Sequence, residues 1–325
     1  MATAAGVSQA TASKALNGRA RVDARTRARV HQLAEELGYR PNVRAQRLRT
    51  GRSHAVALVT ALPAEVVSAA SELGFLLEIS LPVAQACLQR GYSLMLVPPV
   101  SDLRALDALD VDGAVVLDPR VDDAIAARLQ LRGVRVVTVG KASPSVSDGS
   151  LDRGPAGIDV MLRHLVERGA RHVGVLLSTE PFSVTRGLLD YLEANADPGV
   201  RYTVLRASAA GGEDAGYVAV RAALEADPTL DAIYAPLDAF AVGAVRAADT
   251  LGLHVPDEVM VATNYDGRRA LHCSPQLTAL DLHLPEMGRG AVDLLFRALD
   301  GEDAPEAPAP APTVIPRAST ARTTP

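Results

Sequence analysis

The residues of this sequence whose types and spacing could do chemistry are concentrated in a short basic stretch at its start. Residues 1 to 54 hold 11 Lys and Arg against 3 Asp and Glu, a net +8, whereas the rest of the 325-residue chain holds 22 against 35, a net −13. A basic module on an acidic body implies that the module meets a polyanion and the body does not. The stretch has the apolar patterning of a folded head, unlike a disordered basic arm. Ala5-Gly6-Val7-Ser8 sets a tight turn ahead of a Ser whose hydroxyl can cap a helix. The helix predicted over Gln9–Leu16 turns Val7, Ala12, Ala15 and Leu16 toward a core and leaves Gln9, Ala10, Ser13 and Lys14 facing outward. Asn17-Gly18 stops it. Asp23 then caps a further helix, with Val30, Leu33, Ala34 and Leu37 as one buried stripe and Gly38 as terminator. With a helix ahead of Gly6, the reading is three short helices with a Gly turn between the first two, a helix-turn-helix.

From Ala5 to Gly18 the sequence reads A-G-V-S-x-x-T-x-S-x-x-L-N-G. Thr26-Arg27-x-x-Val30 and Leu37-Gly38-Tyr39-x-Pro41-Asn42-x-x-Ala45-x-x-Leu48 follow. On these residues the chain resembles the LacI/GalR family of bacterial transcription regulators. The resemblance implies that the Ser8–Asn17 helix lies in the major groove of DNA, with Gln9, Ala10 and Lys14 at the base-reading positions. Gln can pair with adenine, Lys with guanine, and the Ala10 methyl can meet thymine. Ser8, Thr11, Ser13 and Asn17 would bond phosphates and fix the register, while Arg19, Arg21 and Arg25 supply nonspecific charge. Pro41 to Arg49, with Asn42 and Ala45, matches the family's hinge helix, and Leu48 takes the place of its minor-groove wedge. One wedge needs a mirror-image partner on a palindromic operator, so a homodimer is expected. The family's first helix opens several residues earlier with a Thr-x-x-Asp-Val-Ala run. Met1-Ala2 stands where Val-Ala would be, and the expectation is that the coding start lies upstream.

After Arg52, short apolar runs alternate with amphipathic stretches. Ala55 to Val59, Leu94 to Val97, Gly113 to Leu117, Val134 to Val139, His172 to Leu177, Ala232 to Ala235 and Val259 to Thr263 read as strands separated by helices. Continuous Val/Ile/Leu runs of this kind predict an α/β body of two doubly wound parallel-sheet lobes. The resemblance adds the likeness to a periplasmic sugar-binding protein and three crossings between lobes. The expected divisions are a DNA-binding head over 1–52 with a hinge helix at about 41–49, an N-terminal lobe over 53–168 plus 283–312, and a C-terminal lobe over 169–282 plus 313–325. Glu302 to Pro312 is Pro- and Ala-rich, and Val314 to Thr320 resembles the closing strand. No heptad tail follows to make a tetramer.

An enzyme with a dinucleotide-binding fold should show G-x-G-x-x-G after a strand, and none is present. There is likewise no Walker A sequence, no G-x-S-x-G elbow and no metal-ligand spacing. His164 and His172 read as surface residues, and Asp122-Asp123 as the opening of a helix. No catalysis, cofactor or metal is expected. Cys87 and Cys273 lack C-x-x-C spacing and read as reduced, buried small residues. Without a membrane-length apolar run or signal peptide, a cytoplasmic protein with no membrane partner is expected.

A small-molecule effector, a sugar or related metabolite, is expected in the cleft between lobes. By resemblance Asp152 and Asp266 match pocket aspartates. The usual pocket arginine is Val184 here, with Arg186 directly before Gly187 instead. The usual Asn-Asp pair reads Leu237-Asp238, and a pocket Gln is replaced by Leu282. Loss of several polar partners points to a ligand less polar than a simple hexose, or to an empty pocket. The 3% aromatic content and absence of Trp leave few stacking platforms. The resulting function is an effector-controlled DNA-binding regulator, by family weight a repressor. The alternative is an effector-independent DNA binder or a soluble small-molecule binding protein.

Overall fold

A computed structural model describes residues 2–16, 22–38, 51–62, 74–195, 197–304 and 306–322. The chain forms two compact units, 1–53 and 54–325. In the first, α1 (Gln9–Leu16) and α2 (Ala24–Glu36) pack through Ala12, Ala15 and Val30, joined by Ala5. Both starts are capped as their sequence requires. Ser8 Oγ accepts the Thr11 amide at 3.1 Å, and Asp23 accepts the amides of Arg25 and Thr26 at 3.0 and 2.9 Å. Two expectations need correction. The residues ahead of Ser8 form a turn, closed by Gly6 N to Thr3 O (3.1 Å) and Val7 N to Ala2 O (3.1 Å), instead of a helix. Leu37 is 57% exposed, because it is the C-cap of α2, past the last turn that meets α1. The hinge expected over 41–49 lies outside the described residues.

The second unit carries two parallel sheets. Its elements in order are β1 (Ala55–Thr60), α3 (Gly74–Gln89), β2 (Ser93–Leu96), β3 (Gly113–Leu117), α4 (Ala124–Leu131), β4 (Arg135–Val139), β5 (Gly149–Asp152) and α5 (Ala156–Glu167). Then come β6 (His172–Ser178), α6 (Ser183–Asn195), β7 (Arg201–Ala207), α7 (Gly212–Ala226), β8 (Ala232–Tyr234), α8 (Asp238–Thr250), β9 (Met260–Ala262) and α9 (Arg268–His272). The last are β10 (Ala279–Asp281), α10 (Leu284–Leu299), β11 (Ala307–Pro308) and β12 (Thr313–Ile315). The first sheet runs β11-β5-β4-β3-β1-β2 and the second β7-β6-β8-β9. Strand residues alternate between two apolar layers. Val56, Leu58, Val115 and Leu117 meet Ile79, Val83 and Leu295 of α3 and α10, while Ala57, Val59, Ala114 and Val116 meet Ile125 and Leu129 of α4.

The strands missed from sequence are β5, β7, β10 and β11. β7 is an edge strand with one neighbour and an exposed face, and the others are two to four residues long with polar or Pro content, so none makes an apolar run. His172 is buried, contrary to the surface reading, because Thr203 and Thr229 satisfy its ring nitrogens at 2.7 and 2.9 Å. His164 is half-buried and bonds Thr320 Oγ1 at 2.8 Å. Cys87 is buried but Cys273 only half so; both are free thiols.

β12 pairs antiparallel with β10, and the segment after it is fastened by a buried hydroxyl network. Ser319 Oγ accepts the Thr278 amide at 2.8 Å and donates to Val261 O at 2.5 Å, while Thr278 and Thr320 hydroxyls meet at 2.7 Å. Removing Ser319 Oγ would strand a buried donor and a buried acceptor. Ser319→Ala is therefore expected to cost about 2 kcal/mol in urea unfolding; a loss indistinguishable from that of an exposed Ser→Ala control would contradict the network's role.

Candidate DNA-reading head and ligand cleft

On α1 the side chains of Gln9, Ala10, Ser13 and Lys14 are exposed, and Ala12 and Ala15 are buried beneath them. An α-helix with its side chains is about 10–12 Å across, a cross-section that the roughly 12 Å wide major groove of DNA admits. The Ser8 and Thr11 hydroxyls meet at 2.9 Å at its start. Asn17, Asn42, Ala45 and Leu48 lie outside the described residues. The exposed face offers an amide, a hydroxyl, a methyl and an ammonium, the groups that read base edges and phosphates.

In the second unit the strand ends converge on a cleft. Asp118 follows β3, Lys141 follows β4, Asp152 ends β5, Ser178 ends β6, and Asn264 and Tyr265 follow β9. Sites at the carboxyl ends of parallel strands are what this topology provides. The cleft has an inner chamber of about 100 Å³ and an outer one of about 700 Å³, which share Arg153, Val184, Asn264 and Leu282. Asp152 and Arg186 line the outer chamber and Asp238 the inner. Asp266 lines neither and turns to Arg317, 2.6 Å away.

Several lining residues were not singled out from sequence. Asp118 adopts a left-handed backbone (φ 49°) and pairs with Arg153. Its place directly after a strand is a signal that could have found it. Arg269 gave no such signal, since its helix is only five residues long. It is buried, bonds Glu213 Oε1 at 2.9 Å and lies 3.6 Å from Asp238 Oδ1. The three belong to the first turns of α7, α8 and α9, where helix dipoles favour the two acids. Burial lowers Arg269 to about 10 and raises the Asp238 carboxyl to about 6, with the charge of Glu213 adding to the latter. Burial and the charge of Glu78 raise the Tyr265 phenol. Among the described residues no cluster of three His, Cys, Asp or Glu is arranged to hold a metal, and no helix is long and apolar enough to cross a membrane.

This head and this two-sheet body define a class of protein, a DNA-binding regulator with a periplasmic-binding-like ligand domain. Residues 1–42 match the family of bacterial regulatory proteins, lacI family, and residues 162–320 the periplasmic binding protein-like domain. The chain is 30% identical over 314 residues to the HTH-type transcriptional regulator CelR of Thermobifida fusca, covering 93% of this chain and 91% of that one. It is 27% identical over 310 residues to the HTH-type transcriptional repressor PurR of Klebsiella pneumoniae, covering 91% and 88%. A solved transcriptional regulator CelR–cellobiose complex superposes with a TM-score of 0.71 at 27% identity over 98% of both chains. The Lac repressor dimer bound to operator and the anti-inducer ONPF shares the fold, with a TM-score of 0.68 at 22% identity over 98% of this chain and 97% of that one. The chain belongs to the lacI family of bacterial regulatory proteins.

The raised Asp238 carboxyl has a measurable consequence. Its folded value of about 6 exceeds the ordinary 3.8, so between these values the native state holds a proton the unfolded state has released. This group's contribution to stability therefore falls as pH rises through that window and is flat above it. The stability of Asp238→Asn relative to the parent is expected to increase from about pH 4.5 to 7, by on the order of 1–3 kcal/mol in urea unfolding. A difference independent of pH would contradict the assignment.

Proposed function

We propose that the chain is a repressor that binds a palindromic operator as a homodimer and is controlled by a small molecule in the cleft. The observation that carries the reading is the face of α1, where Gln9, Ala10, Ser13 and Lys14 stand exposed on a helix whose other side is closed against α2. In this reading Gln9, Ala10 and Lys14 read bases, Ser8, Thr11, Ser13 and Asn17 hold phosphates, and Asn42, Ala45 and Leu48 belong to a minor-groove hinge. The head is 1–52, and the two lobes divide as 53–168 plus 283–312 and 169–282 plus 313–325. Asp152, Arg186 and Asp238 contact the effector, and Asp266 acts through its pair with Arg317. An outer chamber of about 700 Å³ suits a ligand of oligosaccharide or nucleobase size, and cellobiose in the CelR complex supports a ligand of that scale. Occupancy favours one arrangement of the lobes and so alters the affinity of the paired heads for DNA.

Fluorescence anisotropy on selected palindromes and on random duplexes tests the DNA half of this reading. Selective, salt-dependent binding is expected, and Gln9→Ala should weaken binding to the selected operator roughly tenfold while leaving random DNA nearly unaffected. Equal affinity for both duplexes would contradict sequence-specific regulation.

A further inference from the structure

We propose that His54 is a positioning residue for operator binding: its ring is the outer end of an aromatic stack that fixes the direction in which the chain leaves the body. The inference rests on the chain being an operator-binding regulator.

His54 is the first residue of the body and directly precedes β1. Its backbone is left-handed (φ 53°), a conformation that costs a residue with a β-carbon free energy and persists where neighbours impose it. They do so from both sides. The His54 amide donates to Asp112 Oδ2 at 2.9 Å, and its carbonyl accepts the Ser93 amide at 3.0 Å and the Ser93 hydroxyl at 3.3 Å. Asp112 leads into β3 and Ser93 opens β2, so the ends of the two strands flanking β1 hold this residue between them. None of these bonds uses the imidazole.

The ring has contacts of its own. It lies 5.0 Å from the ring of buried Tyr92, tilted by 43°, and Tyr92 meets Phe296 edge-on at 4.8 Å. The Arg90 guanidinium sits 5.2 Å from the centre of the Phe296 ring, held there by Asp293 at 2.5 Å and by Ala86 O at 3.1 Å. The far end of the stack is rigid. Phe296 and Asp293 belong to α10, whose Leu295 presses so closely on β3 that a Cβ on Gly113 would sit 2.9 Å from its Cδ1. Glycine would make the turn at position 54 with less strain. What the imidazole adds is the contact with Tyr92, which ties the point of exit to α10. Ordering that point before DNA arrives removes an entropic cost from binding.

The test is the operator affinity of the full chain, by fluorescence anisotropy across a salt series, on a palindrome selected by the parent. His54→Gly and His54→Asn both suit a left-handed backbone, keep every backbone bond and lack the ring. Both are expected to melt close to the parent, since relief of strain offsets the lost stacking, yet to bind the operator about fivefold or more weakly. His54→Phe, which restores a ring at that place, is expected to recover most of the loss. The slope of log affinity against log salt should be the same in all four proteins, because no phosphate contact is removed. Parent-like affinity in the ringless variants, or no recovery in His54→Phe, would overturn the inference. So would an affinity that falls only in step with the melting temperature, which assigns the ring to stability alone. A slope shallower by about one unit in every variant would overturn it too, as the mark of an imidazolium that touches phosphate itself. A parent with no preference for any palindrome would overturn the regulator reading and this inference together.

Discussion

Ser183 donates its backbone N–H to the carbonyl of Pro119 at 3.0 Å, and the cleft depends on that bond. Pro119 follows β3 in one sheet, and Ser183 opens α6, which follows β6 in the other. Arg120 and Phe182 pair beside them as an antiparallel bridge, and the Arg120 guanidinium lies 5.6 Å from the centre of the Phe182 ring. Gly140 permits the approach. Its φ is +106°, and a Cβ there would come within 2.7 Å of Ser183 Oγ. Backbone bonds of this kind cost little to exchange for water at a cleft mouth, since the net worth of one is only about 1 kcal/mol. The seam also carries the Tyr191 hydroxyl on Asp159 at 2.6 Å and the edge-on contact of Phe75 with Tyr265.

Behind that seam, packing in the second sheet's layer sets the polar floor of the inner chamber. α7 and α8 approach so closely that a Cβ on Gly243 would sit 2.3 Å from Glu213 O and 2.6 Å from Tyr217 N. The approach brings the first turns of both helices together, which places Glu213 and Asp238 on either side of Arg269. The same small residue that lets two helices touch therefore brings Glu213 and Asp238 to the buried Arg269. Leaving the buried Arg269 guanidinium without its acids would cost more than the pairs contribute, which explains why the cluster stays closed on itself.

Much of this was legible in the sequence because the signals were local. Capping residues Ser8, Asp23 and Asp123 sit where they accept helix amides, and six of the seven apolar runs became buried strands, since a strand covered on both faces must be continuous in Val, Leu and Ala, while the seventh became β2, a mostly exposed edge strand. Elements whose stability comes from neighbours were not legible. β5 and β11 are too short and polar to stand out, and they exist because each is paired into the first sheet. The cleft was half legible: Asp152, Arg186 and Asp238 line it, Asp118 had the signal of its place just after a strand, and Arg269 and Phe182 owe their places to tertiary packing that no spacing announces. Asp266 shows the converse, since its sequence context resembles a pocket residue and its carboxylate faces Arg317.

The central claim is that occupancy of the cleft is coupled to DNA binding. Its most direct test is the operator dissociation constant of the full chain, measured at fixed salt with and without a saturating cleft ligand. The account predicts a change of roughly fivefold or more, with a reciprocal change in ligand affinity when operator is present. An operator affinity unchanged at ligand saturation would contradict it.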